Sequence, residues 1–234
     1  MLVERSLHPR YLSNAYLVAD KEDGVALYVD SGAPLEPLRA AAQQWRVEPQ
    51  LVLRTHSHPD HVEHEGELGL PVETGEAEVG GLRVEALATP GHSDDMVAFV
   101  INGEAVFTGD TLFKDSVGGG SFEQVRESVM DVLMKLPPET RVLPGHTDQT
   151  TIGREWDQNP FIRVWRGVEP EGTERVQVSG QDATLIVWSP DYDGGGKAWV
   201  RFPDGRDAIV GGSRVERGSS GVSVSGRRPG SGNG

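Results

Sequence analysis

The sequence predicts an α+β fold with a small β-rich module near its C-terminal end. Apolar runs at 15–19, 25–29, 51–53, 82–87, 96–101 and 105–107 are of strand length and bounded by turn residues. Two stripes at helical spacing interrupt them, Leu35, Leu38, Ala42 and Trp45, then Phe122, Val125, Val129, Val132, Leu133 and Leu136. From Gly172 onward only short strand candidates and glycine turns remain. The expected division is one large domain over 1–168, a β-rich module over 172–215, and a Gly/Ser-rich tail over 216–234 that is expected to be disordered.

In chain order, the runs at 15–19 and 25–29 flank Asp20-Lys21-Glu22-Asp23-Gly24, a turn signal that predicts a hairpin. Asp30-Ser31-Gly32 closes the second strand. The first helical stripe follows, with Pro34 near its start. The segment 62–81 is acidic and Gly-containing, with little room for a full helix and an extra strand; His64 within it reads as a helix-start residue. Asn102-Gly103 between the runs at 96–101 and 105–107 is a strong hairpin turn. After Gly118-Gly119-Gly120, Ser121 reads as the N-cap of the second helix, which Pro137-Pro138 ends. Arg141-Val142-Leu143 is a further short strand. Beyond it, 176–178, 184–188, 197–202 and 208–210 are strands of a module expected to form a compact barrel, with 192–196 as one of its turns.

The chemistry-bearing residues gather where these strands end. Thr55-His56-Ser57-His58-Pro59-Asp60-His61 follows the run at 51–53. If the chain leaves the strand extended, positions 56, 58 and 60 project to one side and His61 elsewhere, so the loop can serve two neighbouring cations. Thr89-Pro90-Gly91-His92-Ser93, Thr108-Gly109-Asp110-Thr111 and Pro144-Gly145-His146-Thr147 repeat the arrangement of strand, Gly- or Pro-bearing turn, and one ligand-type residue. Glycine at such turns lets the backbone approach an ion closely. Five of the seven histidines lie in these four clusters, a sorting that scattered solvent-facing histidines would not show.

Over residues 1–168 the chain resembles the metallo-β-lactamase superfamily of metal-dependent hydrolases, most of all its glyoxalase II-like branch. The resemblance implies an αββα four-layer sandwich and two divalent metal ions, Zn first, with Fe or Mn as alternatives. It implies that His56, His58 and His92 hold one metal, that Asp60, His61 and His146 hold the second, and that Asp110 bridges them. Asp60 and Asp110 are then also the catalytic carboxylates. Asp30 matches an acidic residue that supports the metal loop from behind the ligands. Thr150-Thr151-Ile152-Gly153-Arg154-Glu155 with Asn159-Pro160-Phe161 is similar to the small bacterial members of that branch. Lys114 and Arg154 are the basic residues that could meet an anionic substrate; for Arg154 the favoured alternative is a structural pairing with Glu155 or a neighbouring carboxylate.

Composition narrows the partners. Against 22 Lys+Arg stand 36 Asp+Glu, a formal net charge of −14, which disfavours nucleic acid because phosphate binding needs a basic face. There is no cysteine, so neither disulfides nor thiolate ligands contribute. No stretch approaches the ~20 apolar residues of a membrane span, and the first residues lack the apolar core of a signal peptide. A cytoplasmic protein acting on a small-molecule ester or thioester is the expectation.

The resemblance implies hydrolysis of a hydroxyacyl thioester. A thiol leaves readily near its pKa of ~8.5, which suits a site whose recognisable chemistry is nearly all metal ligands. A lactonase or β-lactamase would use the same residues. A mononuclear iron persulfide dioxygenase is the more distant alternative. Such enzymes carry Gly-Arg-x-Asp-Phe after the bridging-type aspartate, where this chain has Gly120-Ser121-Phe122.

Overall fold

The structure, a computed structural model, describes residues 1–217. Strands β1 (Leu2–Leu7), β2 (Asn14–Ala19), β3 (Val25–Val29), β4 (Glu48–Leu53) and β5 (Val72–Glu73) form the first sheet in that order. The second sheet begins with β6 (Ala77–Val79), β7 (Leu82–Ala88), β8 (Val97–Ile101) and β9 (Ala105–Gly109). A small ladder, β10 (Leu112–Phe113) and β11 (Ser116–Val117), interrupts it before β12 (Arg141–Pro144) and β13 (Thr150–Thr151) add on beside β9.

Period-two alternation explains how the two sheets stack. In β2, Tyr16 and Val18 face inward with Leu27, Val29 and Leu53, and meet Leu82, Phe99, Ile101, Phe107 and Leu143 of the second sheet. The alternate residues Ala15, Leu17 and Ala19 face outward against helix α1 (Glu36–Trp45) through Leu38, Ala41 and Ala42. In β8, Phe99 and Ile101 point inward, while Ala98 and Val100 point outward to a second helical layer. With both faces covered, these strands carry continuous apolar runs, which made them legible in the sequence. The result is the αββα sandwich.

The short helices α2 (Pro59–Val62) and α3 (Glu65–Leu68) follow the first histidine loop. The segment 62–81 therefore does accommodate extra strands, β5 and β6, because they are only two and three residues long and lie at sheet edges. The expected second helix also differs. Helix α4 covers only Phe122–Glu127, and the chain then widens into a π-type turn at Ser128–Val132 and tightens into a 3₁₀ turn at Leu133–Lys135. Buried Ser128 donates its hydroxyl to the Pro90 carbonyl at 2.7 Å, tying this irregular stretch to the loop that carries His92. Ser121 precedes α4 without a side-chain cap. Thr151 caps α5 (Ile152–Gln158), and Asn159 caps α6 (Pro160–Trp165).

The C-terminal module is an antiparallel sheet of β14 (Glu174–Val178), β15 (Gln181–Ser189), β16 (Lys197–Arg201), β17 (Asp207–Gly211) and β18 (Val215–Arg217), in the order β17-β16-β15-β14-β18. Among the described residues its edge strands β17 and β18 do not pair with each other, so the sheet is open and not the expected barrel. It also runs to Arg217, two residues past the expected boundary; the rest of the tail, 218–234, lies outside the described residues. One face has its own small core, including Val176, Leu185, Ala198 and Val200. The other face puts Ile186, Val187, Trp199 and Ile209 into one cluster with Phe122, Val125, Phe161 and Ile162 of the helical layer. The module is thus fused to the large domain through a shared apolar core.

Candidate metal centre

β7, β9 and β12 run in the same direction within the second sheet, because β7 and β9 both pair antiparallel to β8 and β12 pairs parallel to β9. Their C-terminal ends therefore deliver His92, Asp110 and His146 to one edge. The β4 end of the first sheet supplies His56, His58, Asp60 and His61 across the sandwich. Three overlapping groups of ligand atoms result, each with all atoms within 4.8 Å: His56, His58 and His92; His56, His61 and Asp110; and Asp60, His61 and His146.

The distances suit cations. His58 Nδ1 lies 3.1 Å from His56 Nε2 and 2.9 Å from His92 Nε2. His61 Nε2 is 3.3 Å from Asp110 Oδ1, and His146 Nε2 is 3.5 Å from Asp60 Oδ2 and 3.4 Å from Asp110 Oδ2. Two ligand atoms about 2.0–2.1 Å from one tetrahedral ion sit roughly 3.3 Å apart. Buried His61 Nε2 and Asp110 Oδ1 have no hydrogen-bond partner, although buried polar atoms normally do. The donor set, imidazole with carboxylate, suits Zn, Fe or Mn. The residues present therefore fit metal ions.

The opposite ring nitrogens are held in place. His92 Nδ1 lies 3.0 Å from the Gly119 carbonyl and His146 Nδ1 3.0 Å from that of Leu12; each donates there, which leaves Nε2 as the lone-pair atom facing the centre. Thr55 Oγ1 stands 3.0 Å from His56 Nδ1. Asp30 anchors the whole loop. Its carboxylate accepts from the Thr55 backbone N–H, the Thr55 hydroxyl and His61 Nδ1, each at 2.8 Å. Asp30 is buried and has a positive φ of 56°, a conformation that Asp tolerates better than most residues. Close backbone approach also matters at Gly145, where a Cβ would collide with Asp110 Oδ1 and the His61 ring.

The electrostatics divide the centre. Burial, helped by the nearby His61 charge, pulls His56 down to about 4, and burial also lowers His92. For His146, burial pulls downward but is outweighed by the Asp110 charge and by hydrogen bonds to Asp110 and Asp60, which bring it up to about 9. His61 is raised well above its ordinary value, again against burial, by Asp110 and Asp30. Burial opposes ionisation of Asp110, but His61 and His146 hold it well below the usual carboxylate range.

A family model described as "Metallo-beta-lactamase superfamily" matches residues 66–146. The chain is 32% identical over 193 residues to an uncharacterized protein of Aquifex aeolicus, covering 63% of this chain and 90% of that one. The chain belongs to the metallo-β-lactamase superfamily. Among solved structures in the superfamily's fold, TTHA1623 in a di-iron-bound form is 34% identical, with 67% of this chain and 98% of that one covered and a TM-score of 0.55. ETHE1 from Myxococcus xanthus is 28% identical, with 72% and 92% covered and a TM-score of 0.60. Superfamily membership makes the chain one of a group of metallo-hydrolases with a His/Asp cluster that can bind metal ions.

The two basic residues singled out in the sequence part ways. Arg154 takes the structural alternative: its guanidinium pairs with Asp115 at 2.8 Å and with buried Glu155 at 2.6 Å, so it braces the loop after β10. Lys114 is half-buried and is in no ion pair among the described residues. His64 lies outside the three ligand groups, with Nδ1 2.8 Å from Glu67 Oε1 at the start of α3.

One residue at the centre was not legible. Tyr192, in the β15–β16 turn of the module, stacks on the His146 ring with centroids 3.9 Å apart and planes 8° from parallel. Phe113 meets both rings edge-on, at 5.7 and 6.0 Å. An aromatic at the head of a Gly-rich turn was the available signal, but nothing in the sequence says that the turn returns to a histidine 46 positions earlier.

Proposed function

We propose that the protein is a dinuclear metal-dependent hydrolase of hydroxyacyl thioesters. The observation that supports this reading best is the sharing of Asp110: its carboxylate is within 3.5 Å of ligand nitrogens from His61, His92 and His146, so it stands between two ligand groups. In this reading His56, His58 and His92 hold one ion, Asp60, His61 and His146 the other, and Asp110 joins them. Bound there, two divalent ions would supply a Lewis acid for a carbonyl oxygen and a water whose pKa falls from ~15.7 to about 7.

The chain's own groups set the geometry and fix the protons. Asp30 holds a proton of His61 on Nδ1, and the Gly119 and Leu12 carbonyls do the same for His92 and His146, so Nε2 is the nitrogen each ring would offer to a metal. Asp60 is depressed by its hydrogen bond to His146 and by the charge of His61, against burial, and keeps a carboxylate at the mouth. Help for a leaving group is scarce. The Tyr192 phenol beside His146 is pushed up by burial and by the surrounding carboxylates, so it yields a proton reluctantly. A thiol needs little such help, an amide nitrogen needs it most, and a lactone lies between.

The test is a side-by-side measurement of kcat/KM on one Zn-loaded sample for a hydroxyacyl thioester, an aliphatic lactone and a β-lactam. The thioester should be the best substrate. A faster lactone would keep the metal centre and make the protein a lactonase, and a faster β-lactam would overturn the leaving-group argument.

A further inference from the structure

The C-terminal module does more than cover apolar surface. It places Tyr192 against His146 and, in doing so, forms one wall of a cleft of about 340 Å³ whose lining includes Leu7, Leu12, Lys114, Asp115, Asp148 and Tyr192. That volume is in the range of small-molecule sites. The cleft adjoins the metal centre: the Leu12 carbonyl accepts from His146 Nδ1, and Thr147, also in its lining, follows His146 directly.

The wall is fixed in place. Asp191 and Lys197, on either side of the turn, form a largely buried ion pair at 2.9 Å. The Ser189 hydroxyl reaches that of Ser116 in the large domain at 3.2 Å. Gly194 and Gly196 take φ values of 75° and 78°, which only glycine adopts readily, and a Cβ on Gly196 would strike the Trp188 ring.

The charges in the cleft are matched, with one exception. Arg5 neutralises Asp148 at 3.0 Å and Arg154 neutralises Asp115 at 2.8 Å. Lys114 has no such partner among the described residues, in a chain whose formal net charge is −14. An apolar side made by Leu7, Leu12 and the Tyr192 ring with a single uncommitted ammonium suits a ligand having an apolar or planar segment and one carboxylate.

We propose that Tyr192 and Lys114 form a recognition cleft for the carboxylate-bearing end of the substrate, with the module supplying the specificity-determining aromatic. The proposal rests on the hydrolase reading for the word substrate, but its test reads binding and so stands apart from turnover. The probes are 3-phenylpropionate and its neutral amide, titrated by calorimetry into the Zn-loaded full chain, with metal content measured on each variant. Wild type should bind the carboxylate at least about tenfold more tightly than the amide, and Lys114→Gln should cut that preference to about twofold or less. Tyr192→Ala should weaken both probes by about tenfold while metal content holds, and Tyr192→Phe should stay within about twofold of wild type. A carboxylate preference that survives Lys114→Gln would place the carboxylate on the metals and overturn the proposal. So would Tyr192→Ala losing metal with unchanged probe affinity in the metal-replete fraction. Lys114 is partly exposed, so its variant keeps the test decisive if Tyr192→Ala fails to fold. The expected binding pattern in a protein that turns over no thioester would keep the cleft and overturn the thioesterase reading.

Discussion

Asp30→Asn is a near-isosteric change with a large expected effect. The carboxylate has two acceptor oxygens and takes three donors: Thr55 N–H on Oδ1, and Thr55 Oγ1–H with His61 Nδ1–H on Oδ2. An amide keeps one acceptor and gains a donor. If its oxygen stays with the Thr55 backbone, the NH₂ faces His61 Nδ1. The imidazole must then become an acceptor there and carry its proton on Nε2, the atom 3.3 Å from Asp110. If the amide flips, two donors face each other at the Thr55 N–H inside the protein. The first arrangement blocks the ligand nitrogen, and the second costs about 1–3 kcal/mol of folding stability for an unsatisfied buried donor. Loss of a group that orients a ligand histidine lowers metal affinity about 10–100-fold, equivalent to about 1.4–2.7 kcal/mol. Competition with a chromophoric chelator, one metal equivalent at a time, measures this directly, with circular dichroism as a check on the fold. The ion held by Asp60, His61 and His146 should be the one affected. Wild-type affinity at both positions in folded Asp30→Asn would show that Asp30 does not orient His61 for metal.

Other expected outcomes follow from the same geometry. In the metal-free protein His146 sits at about 9, above its unfolded value of ~6.5, so its contribution to stability is complete below ~6.5 and is lost as pH rises through about 9. That proton, and the one that Asp110 and Asp30 favour on His61, must leave before a metal binds, so apparent Zn affinity should climb as pH rises from 6 to about 9; a chelator titration showing no slope there would count against these histidines as ligands. Gly145→Ala puts a methyl group into Asp110 Oδ1 and the His61 ring, and should lower metal content more than Gly103→Ala, whose added Cβ meets nothing within 4 Å. Thioester hydrolysis should exceed amide or β-lactam hydrolysis by at least about a hundredfold in kcat/KM, or ~2.7 kcal/mol, and equal rates would remove the leaving-group argument.

What the sequence made visible, and what it hid, has physical causes. The ligand residues stood out because chemistry demands particular side chains at strand ends, and the turn signals around His56–His61, His92, Asp110 and His146 are local. The inner strands were legible because both faces are buried and their apolar runs are unbroken. Periodicity predicts a continuous helix after Ser121 because it records which residues are apolar, whereas Ser128 reaching Pro90 is a tertiary hydrogen bond with no local signature. Pairing of Arg154 with its neighbour Glu155 is legible in the sequence, whereas its second partner, Asp115, is brought to it only by the fold. β5 and β6 are too short to show a period. Trp199 and Ile209 belong to the core of the large domain, and Tyr192 to its metal centre, yet each lies in a stretch that reads by itself as part of a separate small module.

In the proposed centre two ions share Asp110. Elemental analysis of the purified full chain after saturation with Zn and removal of excess metal tests it most directly, with Asp110→Ala treated in parallel. Wild type should hold two ions per chain, and Asp110→Ala should lose the paired arrangement. A single ion per wild-type chain at saturation, with His56, His58, Asp60, His61, His92, Asp110 and His146 all intact, would contradict it.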